Sequence, residues 1–177
     1  MTSPPDGTVA LVDGAVVLRY ERYYAHPVER VWSALTEPDE LPSWWGAAVV
    51  DLEPGGDYIV QWLNADEQGN VTLMHAVVTE LRPPAVLELQ SDVHGRLRWE
   101  LRTEDGGCLL TLVNDTPAPD EFVLRVLAGW HAQLDYLDDH LAGTSVDWPA
   151  WTSATRSRSS GLSWDDHYDR YSRRLAR

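Results

Sequence analysis

The chain has 177 residues and no lysine, since all 14 of its basic residues are arginine. Without an amine side chain there can be no Schiff base to a carbonyl substrate, no attachment point for pyridoxal phosphate and no phosphate-loop lysine. Cysteine is nearly as scarce. The single Cys108 cannot close an intramolecular disulfide or supply the paired thiolates of a structural zinc site, which suits a reducing compartment. No apolar run approaches the roughly 18 residues of a membrane span. Residues Met1 to Val9 carry Pro4, Pro5, Asp6 and Gly7, where a signal peptide would need basic residues and then an apolar stretch, so the expected location is the cytoplasm. Positive charge is also in deficit: 14 basic against 28 acidic residues give a net charge of −14 and a pI near 4.6. Such a surface repels phosphate backbones and anionic headgroups, so neither nucleic acid nor membrane is an expected partner.

The chain is rich in tryptophan, with nine against one Phe, in a composition that is 44% hydrophobic and 24% charged. Those proportions exclude disorder for the bulk of the chain, and the length suits one domain with an appendage. We read residues 1–14 as a flexible lead-in, 15–143 as the domain and 144–177 as an extension.

Ala15 to Tyr24 is β-branched and aromatic, with Leu18, Tyr20, Arg22 and Tyr24 on one face, and reads as a strand. Pro27 then opens a short helix carrying Val28, Val31, Trp32 and Leu35, which Thr36-Glu37-Pro38 interrupts. A second helical turn is expected over Asp39 to Trp45. Six further runs read as antiparallel strands separated by short turns: Ala47 to Leu52, Asp57 to Leu63, Val71 to Leu81, Ala85 to Ser91, Gly95 to Arg102 and Cys108 to Asp115. The fifth shows two faces, because Leu97, Trp99 and Leu101 alternate with charged residues. From Asp120 to Ala142, Val123, Val126, Leu127, Trp130, Leu134, Leu137 and Leu141 recur every three or four residues. This is a long amphipathic helix that Gly143 stops, with Asp135, Asp138 and Asp139 toward or beyond the edges of its apolar stripe. The extension ends in a helix over Ser163 to Leu175, with Ser163 and Asp166 as a cap.

One strand, two small helices, six antiparallel strands and a long helix resembles the START-like helix-grip superfamily, in the branch called SRPBCC. Within it the chain is similar to stand-alone proteins related to the C-terminal domain of the activator of the 90-kDa heat-shock chaperone ATPase. The residues carrying the likeness are His26-Pro27-Val28-Glu29-Arg30-Val31-Trp32-Ser33-Ala34-Leu35-Thr36, Leu41 with Trp44-Trp45, Val78 through Pro84 with Leu87, and Gly129-Trp130 leading to Leu141-Ala142-Gly143. The resemblance implies an α+β fold with a curved seven-stranded antiparallel sheet wrapped around the long C-terminal helix, two short helices after the first strand, and an added helical tail. It fixes no catalytic set, because one fold hosts ligand binding, cyclisation and co-chaperone work.

In such a domain the inward residues are at once core and potential ligand contacts. The expected ligand-facing set is Tyr20, Arg22, Tyr24, Trp45, Tyr58, Trp62, Val78, Glu80, Leu89, Trp99, Leu112, Trp130 and Leu134, with Phe122 also inward. Plain packing would show the same alternation, yet several Trp on facing elements suit an aromatic-lined cavity. Strand parity puts Arg22 and Glu80 inside, where they would pair with each other or anchor a ligand. The histidines show no His-His spacing of a metal site, so no metal and no cofactor are expected. Three functions stay open. A binding module for a small apolar or aromatic molecule leads, ahead of a polyketide-cyclase or hydratase-like enzyme using Glu80 or His75 as acid/base. The third is an interaction protein that stimulates a chaperone. The aromatics Trp148, Trp151, Trp164, Tyr168 and Tyr171 of the tail either clamp it to the domain or offer a partner or homodimer surface.

Overall fold

The computed structural model describes residues 5–65 and 68–176. Its strands are β1 (Thr8–Val12), β2 (Ala15–Tyr24), β3 (Gly46–Val50), β4 (Asp57–Trp62), β5 (Leu73–Arg82), β6 (Val86–Ser91), β7 (Gly95–Glu104) and β8 (Gly107–Thr116). The helices are α1 (Val28–Thr36), α2 (Asp120–Leu141) and α3 (Trp164–Leu175), with 3-10 turns at Leu41–Ser43 and Trp148–Ala150. The strands form one antiparallel sheet in the order β1-β2-β8-β7-β6-β5-β4-β3. This is the expected helix-grip arrangement of α2 against a sheet, with one strand more than the seven expected.

The extra strand lies in the lead-in that was expected to be flexible. Asp13 and Gly14 both have positive φ, 50° and 85°, and form the tight hairpin turn that pairs β1 with β2, from Val12 opposite Ala15 to Thr8 opposite Arg19. Asp-Gly is a favoured pair for such a turn because both central residues need left-handed backbone. Asp105-Gly106, at φ 47° and 80°, repeats the device between β7 and β8.

Period-two alternation holds along most strands: on β7, Gly95, Leu97, Trp99 and Leu101 are buried while their neighbours reach solvent. It fails on β5. The pairing with β6 shifts register between Val78 and Glu80, so Thr79 is an extra residue and Glu80 falls opposite Glu88. A bulge of this kind reverses the facing of everything beyond it. Glu80 therefore sits on the outer face, bonded to Arg98 and to Arg82 at 2.7 Å. The hydrogen bond from Arg98 holds its carboxyl below the usual carboxylate range. Arg22 is buried and donates instead to the backbone carbonyls of Pro5 at 2.6 Å and Glu21 at 3.0 Å. The expected Arg22–Glu80 pair does not form.

α2 ends in a Schellman motif: Gly143 N donates to His140 O at 2.9 Å and Thr144 N to Asp139 O at 2.8 Å. Gly143 has φ 89°, a conformation in which glycine has no Cβ to strain. α3 begins with a full capping box, Ser163 N donating to Asp166 Oδ2 at 2.9 Å and Asp166 N to Ser163 Oγ at 3.2 Å. It packs along α2, and Tyr171 becomes fully buried there. No helix among the described residues is long and apolar enough to cross a membrane.

Candidate functional site

At 100° per residue the side chains of α2 divide into three sectors. One faces the sheet and carries Leu127, Trp130, Leu134 and Leu137, all buried. Its neighbours are aromatic: Trp130 lies 5.3 Å from Trp45 at 68° and 5.7 Å from Trp99 at 79°, the edge-on geometry that aromatic quadrupoles favour. Trp44, Trp45, Tyr58 and Trp99 are each no more than 1% exposed. Three phenols close this interior by donating to backbone carbonyls, Tyr20 to Leu127 at 2.9 Å, Tyr24 to Leu134 at 3.2 Å and Tyr58 to Leu35 at 2.6 Å. Val78, Leu89 and Leu112 are packed in the same core.

A second sector of α2 opens on a groove of about 1110 Å³. Phe122, Val126, Gly129, Gln133 and Tyr136 form its α2 wall, Trp62, Asn64 and Thr72 at the β4–β5 connection its sheet wall, and Val93 with His94 its end. Trp148, Trp151 and Trp164 of the extension close the far side. Of the expected ligand-facing residues, Trp62 and Trp130 line the groove. Tyr20, Arg22, Tyr24, Trp45, Tyr58, Val78, Leu89, Trp99, Leu112 and Leu134 lie in the interior, and Glu80 lies on the outer face of the sheet. Phe122, expected inward, is 46% exposed at the groove's rim with the Arg125 guanidinium 6.0 Å over its ring.

His94 is the residue the sequence reading passed over, because it stands in the turn between β6 and β7. Its ring centroid is 5.3 Å from that of Trp62 and 5.2 Å from that of Trp130. Burial disfavours the imidazolium and pushes its pKa down to about 4, against a smaller opposing effect of Asp92, so the ring is neutral near pH 7. Among the described residues, His94 Nε2, Trp130 Nε1 and Asn64 Oδ1 are buried without a hydrogen-bond partner. No carboxylate lines the groove among those residues. His75, the other expected acid/base, is exposed and pairs with Asp57 at 3.0 Å.

The third sector of α2 faces the extension. Asp135 and Asp139, expected at the edge of the apolar stripe, are 1% and 5% exposed because the tail covers them. Asp139 accepts from Arg158 N at 2.8 Å and Ser159 N at 2.6 Å, so its charge is met by backbone donors. His131 and Asp135 meet His167 of α3: His167 Nε2 is 2.8 Å from Asp135 Oδ2, and the two imidazoles stack at 3.8 Å. The expectation that the histidines could form no metal site tested His-His spacings within one element, whereas here a carboxylate at i+4 and a histidine from another helix complete a group. The tail aromatics are anchored: Trp148 Nε1 donates to Pro42 O at 2.6 Å and Trp151 Nε1 to the Tyr136 hydroxyl at 2.9 Å.

Among solved structures the chain is similar to CalU16 from Micromonospora echinospora. The solution structure of that protein aligns with 99% of this chain and 93% of its own at 21% identity and a TM-score of 0.71. Protein Ms6760 from Mycobacterium smegmatis aligns over 78% of this chain and 98% of its own, at 21% identity and a TM-score of 0.64. A protein from Arthrobacter aurescens aligns over 82% and 98%, at 16% identity and a TM-score of 0.65. These likenesses establish the shared fold. No curated protein sequence matches the chain. The family model described as "Activator of Hsp90 ATPase homolog 1-like protein" matches residues 25–142, from the end of β2 to the end of α2. With more than half of its length so matched, the chain belongs to that family.

Proposed function

We propose that this protein binds a small, flat, largely apolar molecule in the groove between α2, the C-terminal end of β4 and the extension. The observation that carries the reading is the groove itself, about 1110 Å³ with Trp62, Trp130, Trp148, Trp151 and Trp164 on its walls. Ligand sites are typically concave, apolar and aromatic, with a few polar groups that fix orientation. His94 Nε2, Trp130 Nε1 and Asn64 Oδ1 supply those groups, and their mix of donors and acceptors favours a ligand carrying a hydroxyl or carbonyl on its rim.

Titration of Trp fluorescence with a panel of hydroxylated polycyclic aromatics tests this. Saturable binding is expected with micromolar Kd, about −8 kcal/mol, weakened at least tenfold by Trp62→Ala or Trp151→Ala. A panel giving no saturable signal, or one giving signal that both variants retain, overturns the reading.

A further inference from the structure

The polar cluster between α2 and α3 is separate from the groove and has a chemistry of its own. His131 and Asp135 are four residues apart on α2, so they share one face, and α3 brings His167 against both. All three are no more than 1% exposed. One donor atom from each lies within 4.8 Å of the others.

The hydrogen bonds leave this group incomplete. The Tyr171 hydroxyl engages His131 Nδ1 at 2.6 Å and is itself held by Gly7 N at 2.7 Å. That leaves His131 Nε2 facing Asp135 Oδ1 across 4.0 Å, too far for a hydrogen bond. Among the described residues, Asp135 Oδ1 and His167 Nδ1 have no partner. A buried carboxylate oxygen with nothing to accept from is costly. Two metal–ligand bonds of about 2.0–2.2 Å each span such a gap after a small contraction, since tetrahedral ligands sit roughly 3.4 Å apart. Two imidazoles and one carboxylate suit zinc and its first-row neighbours.

We infer that His131, Asp135 and His167 form a binding site for one first-row divalent cation, with zinc as the best match, that staples α3 to α2. Tyr171 is the outer partner that sets the His131 ring.

The test uses the full chain without a histidine tag, stripped with a chelator and offered Co²⁺ or Zn²⁺ alone, both in the native state and during refolding so that a closed entrance cannot mask the site. One equivalent is expected to bind, with a visible d–d absorption for Co²⁺ and a rise in Tm for Zn²⁺. Asp135→Asn and His167→Gln should each lose the absorption, and Tyr171→Phe should lower affinity about tenfold. His75→Gln, at an exposed histidine, should change nothing. Failure of the parent chain to take up stoichiometric metal by either route overturns the inference, as does uptake that His75→Gln abolishes or that folded Asp135→Asn retains. Because the parent decides the first outcome, the test stands even where a variant fails to fold.

Discussion

The two buried faces of α2 hold their partners by different physics. Toward the sheet, Leu127, Leu134 and Leu137 share one core with Trp45 and Trp99, which Trp130 of the same face touches, and the contact is held by apolar area, roughly 25 cal/mol per Å². Toward the extension, His131, Asp135 and Asp139 are equally inaccessible, but there each group depends on a named partner. An apolar face tolerates a change of shape that conserves volume. A paired polar face loses most when one atom changes and its partner stays behind.

The largest break in this comparison comes from emptying the sheet side. Trp99→Ala removes a fully buried indole that touches Trp44, Trp45 and Trp130. It should cost about 3–5 kcal/mol in equilibrium denaturation, and a loss below about 1 kcal/mol would show that the interior collapses around the gap.

A paired experiment sharpens the contrast. Asp135→Asn keeps the shape of the side chain but gives up the charge that faces His167 at 2.8 Å. It should cost roughly 2–3 kcal/mol, while Leu134→Met on the opposite face should cost less than about 1.5 kcal/mol. Equal losses would erase the distinction drawn between the faces.

Acid acts on a third place, the end of the groove. The folded pKa of His94, about 4, lies below its unfolded value near 6.5, so the unfolded chain binds the extra proton first. Stability from this group is complete above pH 6.5 and is lost as the pH falls toward 4, by about 1–3 kcal/mol. Urea melts at pH 7 and pH 4.5 should differ by less in His94→Gln than in the parent. An equal acid loss in both would place the sensitivity elsewhere.

The smallest effect belongs to the cap of α3. Ser163→Ala removes one half of the capping box and should lower stability by about 1 kcal/mol. Should it instead free the extension, measured as faster amide exchange at His167 and Tyr171, then α3 is held by its cap more than by its packing.

How much of this was readable in advance follows the same division. The strands, the long helix, the stop at Gly143 and the Ser163 cap were legible because period and turn chemistry are local. β1 carries a local signal as well, in Asp13-Gly14, but the polar, proline-rich residues before it read as a lead-in. The outward turn of Glu80 had no such mark, since a bulge follows from pairing with β6. The burial of Asp135 and Asp139 was equally hidden, because an aspartate beside an apolar stripe reads as a solvated edge until a separate segment covers it. At the groove, Trp62 and Trp130 were named from the alternation of strand and helix. His94 and the closing role of Trp148 and Trp151 depend on loops brought together by the whole fold.

The central claim is that the side chains between sheet and α2 serve as core, while the groove beside them is where a ligand goes. Indole N–H resonances of ¹⁵N-labelled protein report on both places at once during titration with a flat hydroxylated aromatic. Saturable shifts are expected at Trp62, Trp130 and Trp151, with Trp44 and Trp99 nearly still. Leading shifts at Trp44 and Trp99, or none that saturate anywhere, would contradict the account.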